Sequence, residues 1–234
     1  MIGGQWEVWM KRFAMVLMVA FAGGVGSLSA QTPGAATTSP QRYPWYAELA
    51  AAATLGHTGS SSVGVEAGYS FTDEWQLFVE SGRMGNVASA DLDLRAQTIA
   101  NFIRGSASTA QRAVYFDVGL KYRTWPVGKT HPYVLMGVGT AGVKTSASFF
   151  VNGTDVTAQL PELGVLLGTD LSGSLTKPFL TIGGGFTMPL TSRYPRYLVD
   201  VSYRYGRIFP KSSEIENDLG INTQRAQVGI GIRF

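Results

Sequence analysis

The sequence contains no cysteine and only two histidines, His57 and His131, among its 234 residues. The absence of cysteine excludes disulfides, zinc–thiolate sites, cysteine-held iron–sulfur clusters and thiol nucleophiles, and two histidines are too few for a histidine-rich metal site. Charged residues make up only 15% of the chain, the formal net charge is +3 and no long basic run occurs, so nucleic acid is not an expected partner. We predict no catalytic, cofactor-binding or metal-binding residues.

The first 30 residues have the pattern of a targeting segment. Two basic residues at positions 11–12 precede an apolar stretch at 13–22, and small residues follow. These are the three parts of a secretory signal peptide, for which Met10 is the more natural start. The apolar stretch is too short for a membrane-spanning helix, which needs about 20 residues. We therefore predict a signal peptide over residues 1–30 and a flexible segment, rich in Pro, Thr, Ser and Gly, over 31–43.

From residue 44 onward the dominant pattern is the alternation of apolar and polar residues, which is the period of a β-strand. Most of the alternating segments are longer than the soluble average of about 5–6 residues, and a tilted strand needs about 9–11 residues to cross a bilayer. The fifth segment is ambiguous, and we assign Val134, Met136 and Val138 to its apolar face. The eight predicted strands cover residues 44–54, 62–71, 75–84, 112–124, 132–143, 177–189, 196–207 and 223–234.

The polar faces of these segments carry charge of both signs. In a soluble sandwich they would face water, whereas in a membrane barrel they face the lumen and the apolar faces contact lipid. Five acids against five bases suit the membrane barrel, because buried charges must be paired. We predict a lumen charge network of Glu48, Glu66, Glu80, Asp117, Lys121, Arg123, Asp200, Arg204, Arg225 and Arg233. Pairing is expected above all among Glu66, Glu80, Asp117, Arg204 and Arg225.

The lengths of the connections also alternate. Those after the second, fourth and sixth segments are short, and those after the third, fifth and seventh are longer, while the first is an exception. Short periplasmic turns and long extracellular loops give this pattern in an up-and-down membrane barrel. We predict an all-β fold, an eight-stranded antiparallel up-and-down transmembrane β-barrel over residues 44–234, with both termini periplasmic. Its interfacial girdle of aromatic residues is expected to be Trp45, Phe71, Trp75, Tyr122, Tyr133, Tyr197 and Phe234.

Two of the long connections, residues 85–111 and 144–176, are unusually apolar for exposed loops. A short helix is possible in the first of them. Their apolar residues can pack on each other as a cap, dip into lipid, extend the neighbouring strands or bind a partner. The sequence leaves these four alternatives open.

Three segments carry a resemblance to a known family: PYVLMGVG at 132–139, VDVSYRYG at 199–206 and the terminal QVGIGIRF. Together with the alternating strands, they make the chain resemble the small eight-stranded outer-membrane barrels of the OmpA/OmpX-like and opacity-protein-like group. The resemblance implies the outer membrane of a Gram-negative bacterium, contact with its lipid and a structural or surface role. It further implies that the barrel-assembly machinery recognises the last strand through Val228, Ile230, Ile232 and Phe234.

Two weaker signals point to chemistry. His57 lies near three serines in the first outer loop, and lipid A-modifying barrels use a histidine, a serine and an acid at the barrel rim. Its flanking residues are ordinary turn residues, however, and the His-x-Ser arrangement of those enzymes is missing. The glycine string at 137–142 lacks the helical pattern that a nucleotide loop needs after it. We predict a non-enzymatic barrel with a plugged interior, with an adhesin or ligand-binding barrel as the alternative and no ligand specified.

Overall fold

The structure of this chain is a computed structural model. It describes residues 43–127, 129–165, 167, 171–191, 194–210 and 220–234. The predicted signal peptide, and the flexible segment up to residue 42, lie outside the described residues.

Eight long strands dominate the described part of the chain. Their bounds are Trp45–Leu55 (β1), Ser60–Ser70 (β2), Trp75–Met84 (β3), Ser106–Arg123 (β4), His131–Val151 (β5), Ser172–Pro189 (β6), Tyr197–Ile208 (β7) and Ile221–Arg233 (β8). Each strand pairs antiparallel with its neighbours in sequence. The first and last strands also pair, with Leu49 opposite Ile230, so that the sheet closes. The predicted eight-stranded antiparallel barrel is confirmed.

The alternation of apolar and polar residues in the sequence corresponds to side chains that point alternately out of and into the barrel. Along β8, every second side chain is buried inside the barrel and every other one is exposed outside it. Large apolar residues stand at many of the outward positions; Leu49 is 61% exposed and Ile230 62%. A continuous exposed apolar surface of this kind is unfavourable in water and marks a membrane-facing wall. The closed hydrogen-bond ladder suits that setting because lipid offers the backbone no hydrogen-bond partners.

Three strands are longer than the alternation predicts. β4, β5 and β6 have 18, 21 and 18 residues, and each extends towards the long loops. Small and polar residues such as Ser108 and Ser148 take the outward positions there, so hydropathy no longer alternates. Backbone pairing nevertheless continues as far as Ser106 opposite Phe150. Hydropathy therefore reports the lipid-facing length of these strands and misses the part beyond the lipid.

The connections differ between the two ends of the barrel. The short connections after β2, β4 and β6 share one end with the paired ends of β1 and β8. At the other end, residues 85–105 contain the helix α1, Ala90–Phe102, where Ser89 accepts a hydrogen bond from the Leu92 amide. The loop between β5 and β6 contains a two-residue strand, Thr154–Asp155, and a 3₁₀-helix, Thr157–Leu163. Within the described ranges, no helix is long and apolar enough to span a bilayer.

Candidate functional site

Four acidic side chains form a row along the inner wall of β1 to β4. Glu48 lies directly opposite Glu66, and Glu66 lies directly opposite Glu80. Glu80 in turn lies directly opposite Asp117. All four side chains are buried. Because like charges directly opposite each other on a sheet repel, this row requires positive charge from elsewhere in the lumen.

Three cations supply that charge. Arg204 on β7 spans two acids, with Nη2 2.6 Å from Glu66 Oε2 and Nη1 2.5 Å from Glu80 Oε2. Arg225 Nη1, on β8, lies 3.0 Å from Glu80 Oε1, and Lys121 Nζ, on β4, lies 2.6 Å from Glu66 Oε1. Each of the two central glutamates is therefore bound by two cations, and Arg204 is shared between them.

Two tyrosines complete the hydrogen bonding of the central glutamates. The Tyr46 hydroxyl donates to Glu66 Oε1 at 2.7 Å, and the Tyr115 hydroxyl donates to Glu80 Oε1 at 2.8 Å. Arg225 also hydrogen-bonds the Tyr115 hydroxyl, and its guanidinium carbon lies 4.3 Å from the centre of the Tyr115 ring. These contacts fix the orientation of the two carboxylates, in addition to the ion pairs that balance their charge. Buried hydrogen-bond networks make a protein interior rigid when every polar group in them has a partner.

The acids outside the centre of this network form no ion pair with any residue that the structure describes. Asp117 is fully buried, yet neither of its carboxylate oxygens has a hydrogen-bond partner in the described part of the chain. Glu48 Oε1 and Asp200 Oδ2 also have none. The expected pairing of Asp117 is therefore wrong. Asp117 ends the acid row, with Gly139 opposite it on the next strand, and the arginines bind the two acids in the middle of the row.

The structure thus brings five of the ten predicted network residues into direct contact. Arg123 is buried and Arg233 is half-buried near the short-turn end of the lumen. Neither lies within ion-pair distance of an acid among the residues that the structure describes. The one-to-one balance of acids and bases along the strands therefore does not translate into five ion pairs. The five residues in contact are Glu66, Glu80, Lys121, Arg204 and Arg225.

An apolar layer lies in the lumen between the charge network and the long loops. The Tyr115 and Phe179 rings lie 5.6 Å apart within it. Side chains of this size occupy part of the narrow interior that eight strands enclose. The layer consists of Met84, Val87, Ala113, Tyr115, Ala141, Val143, Phe179, Ile208 and Ile221.

The two apolar connections pack together beyond the barrel mouth. The buried face of α1, with Leu92, Ala96 and Ala100, lies in one cluster with Phe149 and Leu160. The structure therefore shows two of the four open alternatives together, a packed cap and extended strands. We call the combination of α1 and the extended ends of β4, β5 and β6 the outer platform.

A turn on this platform holds one exposed carboxylate in place. The Thr157 hydroxyl and amide donate to Asp155 Oδ1 at 2.6 and 2.9 Å. These two hydrogen bonds stabilise the charged form and lower the pKa of Asp155. At neutral pH the Asp155 carboxylate is charged, and its two hydrogen bonds from Thr157 stabilise the turn.

His57 is linked to the outer platform through an acidic residue of α1. Its Nε2 lies 2.9 Å from Asp93 Oδ2 on α1. Asp93 Oδ1 also accepts a hydrogen bond from the Thr109 hydroxyl. The nearby Ser60 hydroxyl accepts from the Asn86 amide at 2.9 Å. Among the described residues, the histidine therefore has an acidic partner but no hydrogen bond to a serine hydroxyl. Among the described residues, no group of three or more His, Asp or Glu is placed to hold a metal.

Aromatic side chains surround the barrel at the short-turn end, and one predicted member is wrong. Trp45, Phe71, Trp75, Tyr122, Tyr197 and Phe234 lie on the outer side. Tyr133 is only 3% exposed, because Val134 faces outward and its neighbour must face inward. Its hydroxyl donates to Asp200 Oδ1 at 2.8 Å.

The last strand pairs with the first from Arg233, opposite Tyr46, to Gln224, opposite Leu55. Val228, Ile230, Ile232 and Phe234 all face outward. The Phe234 amide donates to the Trp45 carbonyl at 2.9 Å, and the Trp45 amide donates to the Phe234 carbonyl at 3.1 Å. These two hydrogen bonds end the seam that closes the barrel.

The sequence-based site omits several residues that line the lumen. Tyr46 and Tyr115 hydrogen-bond the central acids, and Gln227 and Lys177 are buried on the inner wall. Strand parity alone would identify the two tyrosines, since they alternate with outward apolar residues. A search restricted to charged residues misses them.

Comparisons with known proteins agree with this architecture. A family model described as outer membrane protein beta-barrel domain matches residues 18–234. A major outer membrane protein from Thermus thermophilus is similar with a TM-score of 0.52 and 11% identity, over 81% of this chain and 99% of that one. Neisserial surface protein A is similar with a TM-score of 0.50 and 16% identity, over 82% and 97%. Ail, the attachment invasion locus protein of Yersinia pestis, gives 0.45 and 15%, over 83% and 100%. No curated protein matches significantly.

Proposed function

The chain belongs to the family of outer membrane β-barrel domains, and we propose that it is a non-enzymatic surface protein with a closed interior. Membership confirms the resemblance seen in the sequence and implies the bacterial outer membrane as its location. Any binding specificity would lie in the connections at residues 85–111 and 144–176, which build the outer platform. The observation that carries the proposal is the filled lumen, because a barrel without a passage offers only its outer surfaces for function.

Two stacked layers support a closed interior. The charge network crosses the lumen from β2 and β3 to β7 and β8, and the apolar layer lies between it and the long loops. An ion would have to displace the shared Arg204 from two carboxylates and then cross apolar side chains. Both steps are costly because charges are poorly solvated away from water.

We expect little or no steady conductance from the purified barrel in planar bilayers. The matched variant is Arg204→Ala with Arg225→Ala and Phe179→Ala, which truncates both layers and should conduct measurably if it keeps the heat-shifting gel mobility of a folded barrel. Single-channel recording checks both proteins, with a general porin as the positive control. Large, stable current steps from the unmodified chain would contradict the closed interior.

We further propose that the short turns and the N- and C-terminal ends of the barrel segment face the periplasm, and that the outer platform faces the cell exterior. The absence of native cysteine allows a clean test. Phe102 at the end of α1 is 76% exposed, and Trp125 in a short turn is 83% exposed. In intact cells, Phe102→Cys should react with a membrane-impermeant maleimide and Trp125→Cys should not, whereas both should react after cell lysis. The reverse pattern in intact cells would invert the orientation.

The last strand is proposed to carry the signal that the assembly machinery reads. Its outward apolar residues end in Phe234, beside the first strand at the seam. An unpaired strand in lipid leaves backbone groups unsatisfied at several kcal/mol each. Recognition of the strand that completes the barrel would therefore couple assembly to closure.

Adhesion is the second candidate function, and the surface of α1 favours it. Leu94 and Phe102 project into solvent from a helix whose other face is packed on the barrel. Exposed apolar side chains on a rigid support are common at protein-binding surfaces. Bacteria expressing the protein should adhere to surfaces coated with extracellular matrix protein. The double variant Leu94→Ser with Phe102→Ser should reduce adherence when the same amount of barrel is present on the cell surface. Gln97→Ser on the same helix is the control. Equal adherence of all three strains would count against this role.

Catalysis on lipid A has less support than either role. His57 is paired with Asp93 and has no hydrogen bond to a serine in the described ranges. A nucleophilic hydroxyl would need this base within hydrogen-bond reach.

A further inference from the structure

Three basic side chains lie side by side on the outer wall of the barrel. Arg83 on β3, Arg112 on β4 and Lys144 on β5 are all exposed. Their sequence neighbours Met84, Ala113 and Val143 are buried inside the barrel, so the three basic residues face away from the lumen. We call them the outer basic cluster.

The strand register brings the cluster together. Arg112 is directly opposite Lys144. Arg83 is opposite Val114, which places it diagonal to Arg112 on the neighbouring strand. Directly opposed residues on one face have Cβ atoms about 5 Å apart, and diagonal neighbours lie about 7–8 Å apart. Three long cationic side chains can therefore converge on one ligand.

The cluster lies at the outer limit of the lipid-facing band. On β4, the outward positions from Tyr122 to Val114 are all apolar or aromatic, and Arg112 is the next outward residue. That apolar stretch has about the length that a tilted strand needs to cross the hydrocarbon core. The cationic groups therefore lie at the level of the lipid headgroups, on the side of the long loops.

No protein group neutralises these charges in the described residues, where none of the three forms an ion pair. Arg112 and Lys144 alone would repel each other across the strand pair. Outward residues near the long-loop end of β2 and β8, Ser61 and Gln224, are neutral, and the outward Arg207 on β7 donates a hydrogen bond to Asn222. An external anion would remove the repulsion.

We propose that the outer basic cluster binds the phosphate groups of lipid A in the outer leaflet. Arginine offers paired N–H donors that match phosphate oxygens, and lysine adds a point charge. A phosphorylated glycolipid satisfies both parts of the site, because its acyl chains cover the apolar band while its phosphates meet the cations. The inference relies on the proposed orientation, in which the long loops face outward.

The test measures binding of lipid A to the purified, folded barrel in detergent. The variant Arg83→Gln with Arg112→Gln and Lys144→Gln removes the cluster. The control Lys129→Gln with Arg196→Gln removes two positive charges at the short-turn end of the barrel, away from the cluster. Heat-shifting gel mobility checks folding, and the single variant Lys144→Gln replaces the triple variant if that fails to fold.

The unmodified chain and the control should bind bis-phosphorylated lipid A roughly tenfold more tightly than the cluster variant. With dephosphorylated lipid A the difference should vanish, and inorganic phosphate should compete only weakly. Equal affinity of the cluster variant for lipid A would overturn the proposal, and so would equally strong binding of inorganic phosphate. Binding to the purified barrel does not depend on orientation in the cell, so its outcome is distinguishable from failure of the cysteine-labelling experiment.

Discussion

Replacing Arg204 by methionine is expected to lower the free energy of unfolding by roughly 3–5 kcal/mol. Arg204 is fully buried and bridges Glu66 and Glu80. The substitution retains most of the side-chain volume but leaves two opposed carboxylates with less positive charge in a closed lumen. Urea unfolding of the barrel in lipid vesicles, followed by tryptophan fluorescence, measures the change.

Two further variants identify the cause of the loss. Arg207→Met, on the same strand but facing outward, should change stability by no more than about 0.5 kcal/mol. Adding Glu66→Gln and Glu80→Gln to Arg204→Met should lower stability further if the network is electrostatic, because the buried cations Lys121 and Arg225 then lose their carboxylate partners. A loss below about 1 kcal/mol for Arg204→Met alone would mean that the network contributes little beyond packing.

Deleting Phe234 is expected to remove most of the assembled barrel from the outer membrane. The deletion removes the aromatic ring of Phe234, at the C-terminal end of the last strand, and two backbone hydrogen bonds to Trp45. Phe234→Ser keeps the backbone and removes only the ring, so the two variants separate the aromatic signal from the closure of the seam. Heat-shifting gel mobility of isolated outer membranes measures the assembled fraction.

Deletion of Glu162 is the matched control, because it also removes one residue, from the loop between β5 and β6. It should leave the assembled fraction near that of the unmodified chain. Refolding of the Phe234→Ser protein into lipid vesicles without any machinery should remain efficient if the ring is a recognition signal. Normal outer-membrane levels of the deletion variant in cells would show that the last residue is dispensable.

Strand parity was predictable from the sequence because lipid and lumen impose opposite demands on alternate residues. Even in the ambiguous fifth strand, Val134, Met136 and Val138 face outward as assigned. The same parity contradicts the assignment of Tyr133 to the girdle, since a residue next to an outward one must face inward. The aromatic character of Tyr133 suggests the membrane interface, but its position in the strand decides which way it faces.

Contacts across the lumen could not be derived in this way. Arg204 and Glu66 are 138 residues apart, and their meeting depends on the relative shift of strands around the closed barrel. The charge balance of the strands suggested general pairing, whereas the register leaves Asp117 without a partner among the described residues. The extended ends of β4, β5 and β6 were also hidden, because strands that leave the lipid no longer need an apolar face.

The length of β5 also affects how antibodies would recognise the protein. Thr145 to Val151 continue the strand beyond Lys144, which adds roughly 15–20 Å of height at the usual rise and tilt of a barrel strand. Because Ala96 and Ala100 of α1 pack against this extension, the raised surface combines segments distant in sequence. In the proposed orientation, antibodies raised against the folded barrel should favour conformational epitopes and lose binding on denaturation, while antisera against linear peptides from this region should react poorly with intact cells.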